Sequence, residues 1–130
     1  MNSIGGLTFL VRDYDEAIRF FTEKLGFCLV EDTLLSPEKR WVLVAPAKES
    51  ETRLLLAKAA TPEQETAIGN QSGGRVFLFL HADNFWRDYR RMKSCGVIFR
   101  ETPRNETYGT VAVFEDLYGN TWDLLERLNP

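Results

Sequence analysis

The sequence predicts an α+β fold: two tandem βαβββ modules that form a curved mixed sheet around a cleft. Three observations carry this. Two amphipathic helical stretches, Asp13 to Gly26 and Asp83 to Gly96, each end on a glycine 13 residues after the aspartate. Each follows a strand-sized apolar run, Leu7–Val11 and Val76–Leu80. Two later hairpins superpose without gaps at an offset of 69 residues.

Leu7–Val11 reads as the first strand. Asp13 caps a helix whose apolar positions Tyr14, Ile18, Phe21 and Leu25 fall on one face. Phe27–Glu31 and Trp41–Ala45 read as strands, and the polar turn Pro46–Glu51 leads into Thr52–Ala57. Gly69 and the Gly73-Gly74 pair break periodicity in the connector Thr61–Gly74. In the second half Val76–Leu80 is the strand and Phe85, Tyr89 and Met92 form the helix stripe. Val97–Glu101, Thr110–Phe114 and Thr121–Glu126 follow as strands, the last two joined by the turn Asp116-Leu117-Tyr118-Gly119-Asn120. The chain is thus expected to be one domain over 1–130. Module 1 covers about 3–60, the connector 61–74, and module 2 about 75–128. A βαβββ unit covers one sheet face with its helix and leaves the other needing cover, which is why a cleft is expected.

Composition narrows the function. In 130 residues, 44% are hydrophobic and 27% charged, the balance of a globular protein. The formal net charge of −3 supplies no basic excess, so nucleic acid is not an expected partner. No apolar run is long enough to span a membrane, and the N-terminus carries no signal-peptide pattern. Cys28 and Cys95 suit a reducing compartment as small buried hydrophobes, and a cytoplasmic location is expected. The single histidine, His81, excludes within one chain any metal centre that needs two or three imidazoles. No glycine-rich phosphate loop or nucleophile elbow occurs.

Leu7–Gly26 (LTFLVRDYDEAIRFFTEKLG), Phe85–Val97 (FWRDYRRMKSCGV) and Val111–Glu126 (VAVFEDLYGNTWDLLE), in this repeat, resemble the vicinal oxygen chelate superfamily. That group includes glyoxalase I, extradiol dioxygenases and bleomycin- and fosfomycin-resistance proteins. The closing segment is similar to the family's F-x-D-P-x-G-N-x-x-E-L hairpin, with Leu117 in place of proline. The resemblance implies two His and two Glu ligands for a metal. Those slots fall here on Gly6, Leu54, Phe77 and Asp123. Three of them offer no side-chain donor, so no metal and no cofactor is expected.

The candidate ligand-binding residues are therefore Gly6, Leu54, Phe77, Phe79, His81, Tyr108 and Asp123. Period-2 alternation puts Trp122 and Leu124 on one face of the last strand and Asp123 on the other. His81 shares a face with Phe77 and Phe79, whose rings suit a planar or cationic ligand. Asp123 and His81 are the polar anchors and the candidate catalytic groups. The expected function is metal-independent binding of a small organic molecule in an aromatic-lined cleft, with a resistance or sequestration role. The alternative is a lyase, isomerase or dioxygenase, either metal-free or using ligands such as His81, Glu115 and Asp123. Unpaired sheet edges in so short a chain lead to the expectation of a homodimer.

Overall fold

The computed structural model describes residues 1–128. It divides into two compact units, Met1–Ile68 and the described residues from Gly69 onward. Each holds a four-stranded mixed sheet with a helix packed on one face, so the fold is α+β with two tandem βαβββ modules.

In the first unit the strands are β1 (Gly6–Val11), β2 (Cys28–Ser36), β3 (Lys39–Ala45) and β4 (Arg53–Lys58). Their order is β1-β4-β3-β2, with β1 parallel to β4 and the other pairs antiparallel. Asp13 caps α1 (Tyr14–Arg19), its carboxylate accepting from the Glu16 N–H at 2.8 Å. The helix then widens into a π-helical turn over Phe20–Lys24. Phe20 and Phe21, which open this turn, are both buried. Phe21 meets Phe9 edge-to-face at 5.3 Å and Phe27 at 5.4 Å. Phe9, Val11, Val42, Val44 and Leu56 are fully buried with them.

The connector holds regular structure despite its glycines. Thr61 caps a short helix, α2 (Pro62–Ala67), with Pro62 in its first turn, and the Gln64 carboxamide accepts from the Ala60 N–H.

In the second unit the order is β5-β8-β7-β6, from β5 (Leu78–His81), β6 (Arg104–Glu106), β7 (Gly109–Glu115) and β8 (Thr121–Arg127). β5 runs parallel to β8, and Asn84 caps the helix α3 (Phe85–Ser94). Val97–Glu101, expected as a strand, forms only an isolated bridge between Phe99 and Phe114. The Glu101 carboxylate accepts the Val113 N–H at 3.0 Å, so a side chain takes the place of a ladder carbonyl. Pro103, which has no N–H to donate, follows two residues later. Cys28 and Cys95 are half-buried, not fully buried as expected, because both sit at the ends of their elements. No helix among the described residues is long and apolar enough to cross a membrane.

Candidate functional site

Each sheet has a face turned away from its helix, and these faces carry the candidate residues. In the first unit Val42, Val44, Leu54 and Leu56 are buried on the helix side. Gly6, Thr8, Trp41, Leu43, Arg53 and Leu55 alternate to the other side, where with Gly5, Leu7 and Glu51 they line a cavity of about 400 Å³. Trp41 is half exposed at its wall. The Arg53 guanidinium donates to the Ser50 and Lys48 carbonyls at 3.3 and 3.4 Å.

Leu54 does not belong to this group. The register pairs Val44 with Leu54, and in the second module Phe114 with Trp122. The offset of 69 carries Val44–Leu54 onto Val113–Asp123, which also pair, but Val44 and Leu54 are buried where Val113 and Asp123 are not, so the offset displaces both strands of the hairpin by one position. A one-residue slip exchanges the faces of a strand. The first-module counterpart of Asp123 is therefore Leu55. Gly6 lies at the cavity, but a Cβ there would lie 2.9 Å from the Arg53 carbonyl oxygen. The backbones of β1 and β4 approach too closely at this point for a side chain to fit without movement.

In the second unit Trp122 and Leu124 are buried towards α3, and Asp123 projects from the opposite face. Phe79 is its parallel partner and Val113 its antiparallel one, so the three share a row. Phe79 is 60% exposed, and His81, two residues further along the same strand face, is exposed. Phe77 precedes β5 and is half-buried, its N–H donating to the Thr121 carbonyl at 2.7 Å. Tyr108 is exposed just before β7.

Asp123 is half-buried, and its Oδ1 is buried without a hydrogen-bond partner. Desolvation pushes its carboxyl above the ordinary aspartate value. The Arg104 charge pulls it down and the Glu101 charge pushes it up. Arg104 is engaged elsewhere: its Nε contacts both Glu101 carboxylate oxygens at 3.1 Å, and its Nη1 lies 3.2 Å from Glu106.

Two features of the site region are hard to see in sequence. The turn residue Asp116 is buried and accepts from the Trp122 indole at 2.9 Å, the Asn120 amide, and the Tyr118 and Asn120 N–H groups. Burial pushes its carboxyl up against the pull of these donors. Trp41, read only as a strand residue, supplies the aromatic wall of the cavity. The signal was present: Trp41 and Leu43 alternate with Val42 and Val44, so β3 is apolar on both faces although its sheet is largely antiparallel.

The superfamily's metal does not fit these positions. Glycine, leucine, phenylalanine and one aspartate are no cage for a divalent ion. Among the described residues no three His, Cys, Asp or Glu side chains converge.

The comparisons agree with the architecture. An uncharacterized protein of Shewanella frigidimarina (strain NCIMB 400) is 57% identical over 95% of this chain and 93% of its own length. The crystal structure of UcmS2 superposes with a TM-score of 0.83 at 33% identity, covering 96% of this chain and 98% of that one. TnmS3, an antibiotic binding protein from Streptomyces sp. CB03234, superposes with a TM-score of 0.78 at 28% identity, covering 98% and 97%. The family model described as Glyoxalase/Bleomycin resistance protein/Dioxygenase superfamily matches residues 3–124, and the chain belongs to that superfamily.

Proposed function

We propose that this chain binds a small, largely apolar organic molecule without a metal, in the manner of a resistance or sequestration protein. The observation that carries the reading is the cavity of about 400 Å³ lined by Trp41, Leu43, Leu55, Gly6 and Thr8. Its size, and a lining that mixes Leu7, Trp41, Leu43 and Leu55 with the polar groups of Thr8, Glu51 and Arg53, are those of a small-molecule site. The similarity to TnmS3, itself an antibiotic binding protein, supports the same ligand class. Phe77, Phe79, His81, Tyr108 and Asp123 supply further aromatic and polar surface in the second module. Asp123 and His81 serve as binding groups in this reading.

A thermal-shift screen of planar aromatic compounds, run with and without EDTA, tests it. At least one compound is expected to raise the melting temperature, equally in both buffers. Trp41→Ala should weaken that compound about tenfold, the value of a lost aromatic contact of about 1.4 kcal/mol. A screen with no response, or a response abolished by EDTA, would sink the reading.

The protein is also proposed to act as a homodimer. β2 is a nine-residue edge strand whose Leu34 and Leu35 are 67% and 54% exposed. Light scattering at micromolar concentration should report about twice 15.0 kDa. A single 15.0 kDa species at every concentration would reject the dimer.

A further inference from the structure

We infer that Asp123 and Phe79 form a subsite for the cationic nitrogen of an amine or amidine carried on an apolar body. This deepens the small-molecule reading above and rests on it.

Three observations converge on the same row of the second sheet. The Asp123 Oδ1 is buried with no donor, which costs free energy unless a bound group completes it. The nearest cation cannot serve as that group, because Arg104 is held by Glu101 and Glu106. Phe79, the register partner of Asp123, presents its ring with 60% exposure. A protonated amine meets both needs: its N–H groups satisfy the carboxylate, and its charge is attracted to the ring face.

The local charge balance points the same way. The charges that act on Asp123 are the Arg104 guanidinium and the Glu101 carboxylate, Arg104 is shared with Glu106 as well, and His81 lies on the same face as Asp123. Glu101 repels a second negative charge here and raises the Asp123 carboxyl. An added cation offsets that repulsion, whereas an anionic ligand would meet the Asp123 and Glu101 carboxylates. Val113 and Leu125, beside Asp123 in the register, give the ligand body an apolar floor.

The test uses two probes of one shape. 2-Naphthylmethylamine is cationic at pH 7, and 2-naphthylmethanol carries the same ring without charge. Calorimetric titration of the wild-type protein should show the amine binding about tenfold more tightly. Asp123→Asn should remove that preference by weakening the amine about tenfold. On the wild type alone, added salt should weaken the amine and not the alcohol. This arm holds even if the variant folds poorly. Equal affinity for the two probes, or a preference that survives Asp123→Asn, overturns the inference. If neither probe binds while planar compounds still raise the melting temperature, the inference falls and the broader reading stands. If nothing binds in either experiment, both fall.

Discussion

Asp116→Ala is expected to cost about 4 kcal/mol of folding stability, and urea denaturation monitored by tryptophan fluorescence should record it. The magnitude follows from what the carboxylate holds. It accepts from the Trp122 indole N–H at 2.9 Å, from the Asn120 amide at 3.0 Å, and from the Tyr118 and Asn120 backbone N–H groups at 2.9 and 3.1 Å. Trp122 and Asn120 are 2% and 3% exposed, so water cannot replace the lost acceptor without entering the core. Alanine leaves several donors buried and unpaired, each costing about 1–3 kcal/mol before relaxation. Asp116→Asn keeps the shape and one acceptor oxygen, and should cost about half as much. A loss below about 1 kcal/mol for the alanine variant would show that the turn does not anchor Trp122.

The raised Asp116 and Asp123 carboxyls give the pH dependence a definite sign. Each group is protonated in the folded state at a pH where the unfolded chain has already released its proton. Stability therefore falls as pH rises from the ordinary aspartate value through the raised folded value, and is flat above it. This is the reverse of the usual paired carboxylate. Its cause is burial, which opposes the charged form in both residues.

The repeat was legible because glycine and apolar periodicity are local signals. Gly26 and Gly96 adopt φ of +73° and +90° where the helical segments end, and the strand-forming runs before those helices are strands or paired extended segments. The faces of β8 were legible for the same reason: alternation needs no knowledge of partners. Leu54 was misplaced because the offset of 69 preserves the pairing of the hairpin but not its face: Val44 and Leu54 are buried, and their counterparts at that offset, Val113 and Asp123, are not. Val97–Glu101 looked like a strand because Val97, Ile98 and Phe99 are strand formers. Its pairing is cut short by a side-chain carboxylate reaching across 12 residues, which no local pattern encodes. The Asp116 cluster was read as turn chemistry alone. Its burial comes from Trp122 folding back over the turn, a tertiary event.

Gly109→Ala should be as damaging as the loss of Asp116, for a different reason. Gly109 opens β7 at φ +152°, a conformation that L side chains rarely adopt. A Cβ there would lie 2.1 Å from the Glu126 carbonyl oxygen and 3.0 Å from the Arg127 Cα. Both are backbone atoms of the paired strand β8, so no rotamer change relieves the overlap. Either the ladder opens at Gly109–Arg127 or the strand end shifts, and we expect a loss of about 3 kcal/mol or more in urea denaturation. Gly119→Ala separates the two contributions. Gly119 also has positive φ, at +93°, but a Cβ there would meet nothing within 4 Å, so that variant should lose only about 1 kcal/mol from backbone strain. The difference between the two variants measures the steric overlap alone. Equal losses would mean that the end of the β7–β8 ladder yields freely. The row that aligns Val113 with Asp123 would then rest on the middle of the hairpin, and the proposed cation subsite should survive in Gly109→Ala.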